Sequence, residues 1–276
     1  MSDSPIFPPE IEYNIFTIAL EPKLENNGRD VVDLILVAKR VYEWLIPKIF
    51  QTLAVQRIPP SRKYPLQWQL NSLEIYGKHV QHLFVWMSAY YNGPISQDQY
   101  ICLCPNITNL VLWTQNHPDR THLARMSHLP LTHLSTDTTG LPKSTPELYP
   151  LFSRITHLTI VNSTLEHERP TRFTSLTHLA IPNPYDKTIV VFILRCYPTL
   201  KALVLWEHGT AFKVVGGFKP SVDDPRVVRM NITMRNNNPV RNWLLDVKDG
   251  QGVWGLADET VGKRWNLKEA LHKTSD

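Results

Sequence analysis

The chain has 276 residues, 42% of them apolar and 10% aromatic, with 29 basic against 25 acidic side chains and a net charge of +4. That composition excludes a disordered polymer, and the scattered Lys and Arg form no charged stripe, so no nucleic-acid partner is expected. Three cysteines (Cys102, Cys104 and Cys196) cannot close a disulfide framework, and the opening "MSDSPIFPPE" has neither the basic start nor the apolar core of a secretory leader. The longest apolar run, residues 188–197, is broken by Arg195, so no membrane partner is expected and the expected address is cytoplasmic or nuclear.

The first predicted elements are helices. "FPPEIEYNIF" at 7–16 begins with a proline pair suited to a first helical turn, and Ile11, Ile15 and Ile18 then share one face. After the polar gap "EPKLENNGR", the run "DVVDLILVAKRVYEWLIPKIF" places Leu34, Val37, Val41 and Trp44 at helical spacing until Pro47, where the helix is expected to bend or end. Helices so short and so apolar need a partner surface.

From residue 80 a phrase recurs: apolar–x–x–Leu–x–apolar. Its copies are Val80–Val85, Ile107–Leu112, Leu131–Thr136 (closing on Thr136), Ile155–Ile160, Leu176–Ile181 and Leu200–Leu205, with central leucines at 83, 110, 134, 158, 179 and 203. Alternation within the phrase is strand-like: in "HLTI", Leu158 and Ile160 share one face, His157 and Thr159 the other. Between copies lie segments that read as helical and stop at proline: "SQDQYICLCP" capped by Ser96, "STPELYP" with Pro146 in its first turn, and "YDKTIVVFILRCYP". Each unit is thus a strand plus a helical or irregular return, able to bury its leucines only when stacked on neighbours.

These repeats resemble the leucine-rich repeat family, which implies a solenoid of parallel strands. The family's asparagine after the phrase is replaced here by Ser88, Gln115, Thr139, Ser163, Pro184 and His208. Residues 7–50 resemble an F-box, the module that docks substrate receptors onto the adaptor of cullin–RING (SCF-type) ubiquitin ligases. Phe7, Pro8, Glu10 and Ile11 stand for its Leu-Pro-x-Glu-Leu phrase, Ile15-Phe16 for its Ile-Leu, and Asp33, Leu34, Val37, Lys39 and Arg40 for its second phrase. The tryptophan usual after Lys-Arg is Val41 here, and Trp44 and Leu45 follow. An F-box followed by leucine-rich repeats resembles the proteins of this type expanded in mushroom-forming basidiomycete fungi. The resemblance implies adaptor contacts through Phe7, Pro8, Ile11, Ile15, Phe16, Leu34, Val37, Val41 and Trp44. The expected fold is therefore α/β: an F-box-like helical module at 5–50, a leucine-rich-repeat-like solenoid at 51–224, and a C-terminal cap at 225–276 with a helix between Trp254 and Trp265. Two functions follow from different readings of residues 7–50: a ubiquitin-ligase substrate receptor, or a ligase-independent scaffold whose N-terminal helices only seal the solenoid.

Stacking puts the residue before each central leucine in one column: His82, Asn109, His133, His157, His178 and Ala202. Neighbouring imidazoles about 4.8 Å apart can bind a transition metal or depress one another's pKa. No carboxylate or cysteine joins the column, Asp137 lying one position too far along, so neither metal nor cofactor is expected. A second column on that face carries Trp86, Trp113 and Trp206. Exposed rings there are the expected anchors for a protein substrate on the concave face, with His82, His133, His157 and His178 as adaptable polar contacts. No G-x-S-x-G, Gly-rich phosphate loop, C-x-x-C or H-E-x-x-H is present, so no catalytic residues and no enzymatic activity are expected.

Overall fold

The structure is a computed structural model, and it describes residues 7–25, 31–56, 72–87, 97–114, 126–136, 149–161, 173–183, 187–208, 213–214, 222–232, 243–244, 246–247, 250 and 252–273. Ser96, Asp137, Pro146 and the positions five past the central leucines, His208 apart, lie outside the described residues. The first helices are α1 (Pro9–Glu25), α2 (Val31–Ile35) and α3 (Lys39–Phe50). The expected single helix through Leu34 and Val41 is broken at 36–38, where Ala38 turns extended before α3 restarts. Pro47 does not end α3. Leu45 and Ile46, buried just before it, carry the helix past its missing hydrogen bond to Phe50, so packing overrides the proline.

Leu20, Val31, Val41 and Leu45 form the core of this module, with Phe16, Leu34 and Trp44 packed partly against it. Arg40 on α3 reaches Glu12 on α1 at 2.8 Å, and the rings of Tyr13 and Trp44 meet edge-on with centroids 6.0 Å apart. The module then joins the repeats through α3. Tyr42 and Tyr76 share a hydrogen bond between their hydroxyls at 2.5 Å, and Phe50 stacks on Tyr76 at 4.4 Å.

Past α3 the chain forms one open sheet in the order β1-β2-β3-β4-β5-β6-β7-β9-β8. Its strands are β1 (Thr52–Gln56), β2 (His82–Met87), β3 (Asn109–Thr114), β4 (His133–Thr136), β5 (His157–Ile160), β6 (His178–Pro182), β7 (Ala202–His208), β8 (Lys213–Val214) and β9 (Val227–Ile232). Every pairing is parallel except β8 with β9. The register places Leu83, Leu110, Leu134, Leu158, Leu179 and Leu203 side by side, as the phrase requires. Strand β1 is a further copy, Phe50–Val55, whose first apolar residue is also the last residue of α3. At the other end the sheet continues past residue 224, because Val227–Ile232 pairs with β7.

The leucine face of the sheet packs against short return helices, α4 (Gln97–Leu103), α5 (Tyr149–Phe152) and α6 (Lys187–Cys196). Tyr100, Ile101, Leu151, Phe152, Val190 and Ile193 from these helices join the stacked leucines in one long core. Return and strand approach closely at Gly77, where an added Cβ would stand 2.0 Å from the Leu103 carbonyl oxygen.

The second face is not bare. Trp243 and α7 (Val253–Lys273) lie across it. Trp243 packs on Phe84 and Val111 of β2 and β3. Further along, Ala257 and Val261 pack on Ala180, Ala202, Val204, Trp206, Val228 and Met230. The expected edge cap is thus a strap over a face, because that face carries apolar residues that would otherwise meet water. Gly250, with φ of 60°, makes the turn into α7, and Gly255 lets the helix approach it: an added Cβ would meet the Gly250 carbonyl oxygen at 1.5 Å. No helix of the described residues is long and apolar enough to cross a membrane.

Candidate functional site

The predicted histidine column exists. His82 pairs with Asn109, Asn109 with His133, His133 with His157, His157 with His178 and His178 with Ala202. The imidazoles of His133 and His157 stack with centroids 4.0 Å apart, and those of His157 and His178 with centroids 4.2 Å apart. Planes so nearly parallel hold their nitrogens side by side instead of converging them. Among the described residues, no group of His, Cys, Asp and Glu is arranged to hold a metal.

The threonine that precedes each of these rings explains their alignment. Thr132, Thr156 and Thr177 each bring Oγ1 within 2.9, 2.9 and 2.8 Å of the Nδ1 of the next residue. The same hydroxyls reach back to the carbonyls of Thr108, Thr132 and Thr156 in the preceding repeat. A hydroxyl has one proton to give. Turned to the carbonyl, it accepts Nδ1–H; turned to the ring, it donates to a bare Nδ1. The ring is therefore held in either protonation state, and the repeated Thr-His dipeptide is the unit that holds it.

Electrostatics follow from the cover. Burial pushes the His157 pKa down to about 3, with the neighbouring His133, His178 and Lys201 charges adding to it. Burial and then His82 and His178 push His133 down to about 4. Repulsion within the column acts in the expected direction, but burial is the larger cause. His82 is lowered by burial alone. His178, 5% exposed, brings Nε2 to 2.9 Å from Asp258 on α7. Trp254, one helical turn before Asp258, sets its ring edge-on to His157 at 5.3 Å and to His178 at 5.7 Å. At the other end of the strap, Trp243 donates its ring N–H to Asn109 in the same column.

The tryptophan column departs from expectation. Trp206 is 2% exposed and lies beneath α7, so it is core and not a free anchor. Trp86 and Trp113 are half-buried beside Trp243, and Trp113 donates to the Ser135 hydroxyl at 2.9 Å. The strap supplies the cover that the rings need, and in doing so removes Trp206 and His178 from any outside partner. The strap residues Trp243, Asp246, Trp254 and Asp258 were not foreseen as site residues. The signal for them is three tryptophans (Trp243, Trp254 and Trp265) in a segment without the repeat phrase, the first two of which find their cover on the sheet.

Asp246 roots the strap. Its carboxylate accepts the backbone N–H of Trp254 at 3.1 Å, yet burial raises its pKa to about 6 against the effect of that bond. A raised carboxyl binds its proton more tightly folded than unfolded, so its contribution is most favourable below about pH 4 and is lost as pH rises through about 6. Asp246→Asn, which keeps an acceptor and sheds the charge, is expected to stabilise the chain by about 1–3 kcal/mol at pH 8, with the advantage vanishing near pH 4. Thermal melts across that range check it.

The N-terminal module offers a different surface. Phe7, Ile11, Ile15 and Ile18 are exposed on and before α1, as are Val32, Leu36 and Val37 around the α2–α3 junction. Of the residues expected to meet an adaptor, Phe7, Pro8, Ile11, Ile15 and Val37 stand outside, while Phe16, Leu34 and Trp44 are half-buried. Val41 is 1% exposed, because it sits one turn before Leu45 and both face Leu20. It is core of the module. The chain matches no protein-family model and no curated protein.

Proposed function

We propose that the protein is a substrate receptor of a cullin–RING ubiquitin ligase, docking its adaptor through the N-terminal helices and presenting a bound protein on the repeats. The observation that carries this reading is the exposed apolar row on α1. Ile11, Ile15 and Ile18, at i, i+4 and i+7, face away from a module core that is already complete without them. Surface of that kind persists where something covers it, and two of its residues, Ile11 and Ile15, are among those that the F-box resemblance assigns to the adaptor. The receptor would do no chemistry. Held on the ligase, it would raise the effective concentration of its cargo at the transfer site.

Ile15→Asp tests the reading. Ile15 is 48% exposed, so the substitution is expected to leave the melting temperature within a degree or two while abolishing co-purification with the adaptor. A wild-type chain that fails to capture the adaptor supports the second reading, a ligase-independent scaffold. One joint favours that alternative: Tyr42 and Phe50 of α3 both meet Tyr76, so the helices pack on the chain that leads into β2.

A further inference from the structure

The C-terminal strap lies on the face that a solenoid of this kind leaves open for a partner, and beneath it lies a stack of imidazoles. We propose that Trp243 and α7 form a proton-releasable strap: acidification charges the imidazole stack at His157, whose ring Trp254 covers, and lifts the segment from the sheet, uncovering the face. The inference does not depend on adaptor docking, since it concerns two parts of one chain.

Geometry carries the argument. Two rings at 4.0 Å with another at 4.2 Å beyond cannot all be charged without strong repulsion, and none of the groups facing His157 relieves it. From β4 and β6 come His133 and His178, beside β7 comes Lys201, and from α7 comes the edge of Trp254. Among the described residues, the one carboxylate set against the column, Asp258, is already bonded to His178. His133 faces His82 and His178 in the same way. Lifting the strap returns these rings to water, where an imidazole takes a proton near pH 6.5.

The helix that must lift is tied past its middle by Arg264, which donates to the Val227 carbonyl, and by Lys268, 3.9 Å from Asp223. Gly262 sits in its interior with nothing within 4 Å of the place a Cβ would take, so packing does not require a glycine that loosens a helix. Trp265 and Leu267 beyond it are exposed.

Opposing groups decide the size of the effect. Freeing His157 from about 3 favours release about thirtyfold at pH 5. Asp246, raised to about 6 where it caps the strap, takes up its proton in the closed form and opposes release about tenfold. His133 adds a gain limited by repulsion from its neighbour.

Hydrogen exchange on the full chain, corrected for intrinsic rates, reads this directly. Between about pH 7.5 and about pH 5, protection over 253–273 is expected to fall about tenfold while β2–β7 keep theirs, and in His133→Gln/His157→Gln, where the effect of Asp246 alone remains, protection is expected to rise about tenfold instead. Loss of protection in strap and strands together, no loss at all, or an acid-induced loss surviving in the double variant each overturns the proposal. Should circular dichroism show the double variant unfolded, Asp246→Asn decides: without its counterweight the acid response is expected to grow about tenfold further, and an unchanged response overturns the proposal.

Discussion

Trp206→Ala is expected to lower the unfolding free energy by about 3–5 kcal/mol. The ring is 2% exposed, between β7 and α7, and touches the apolar cluster that joins sheet to strap. Alanine leaves a void bounded on one side by a strand held in the ladder, and on the other by a helix free to settle inward. Most of the loss is therefore expected on the strap. Urea unfolding followed by far-ultraviolet dichroism gives the size, and hydrogen exchange gives the place: α7 should lose protection before β6 and β7 do. A change below about 1 kcal/mol would put the ring outside the core and restore it as a partner anchor.

Leu158→Ala strikes the other face. Leu158 sits in β5 with leucines beside it in both neighbouring strands, and its loss is expected to cost about 2–5 kcal/mol. Because each repeat touches only its neighbours, the damage is expected to spread first to β4 and β6, and to reach α1 and α3 last. Exchange that loosened residues 9–25 first would contradict a linear array.

The two substitutions mark how far the sequence could be read. The leucine column was legible because its cause is local: an alternating phrase is a strand, and a recurring strand must stack. The histidine column followed from the same register. Even β1 was within reach, since "FQTLAV" obeys the phrase, but its Phe50 also closes α3 and was absorbed into the helix. What was not legible depended on distant chain. Nothing near Trp206 says that Ala257 and Val261 will lie on it, because the strap has no repeat and its partners are scattered over β2, β3, β5, β6, β7 and β9. Val41 failed for the opposite reason. Its spacing with Leu34 and Trp44 held, since all three pack in one cluster, but the adaptor contact came from the F-box resemblance alone, and that face closes the module's own core with Leu20 and Leu45.

The strap also bears on the order in which the molecule assembles. Contacts within the repeats join residues about one repeat apart, whereas Trp243 bonds to Asn109 and Asp258 to His178 across 134 and 80 positions of chain. Local contacts form early and distant ones late, since the loop between them must first be closed. The sheet is therefore expected to form from its own neighbours, and the strap to dock as a separate, later phase. On the ribosome the delay is enforced, because residues 243–273 leave the tunnel after every strand they cover. A nascent chain thus carries its second sheet face uncovered for a time, its apolar residues and its imidazoles both open to water or to a chaperone.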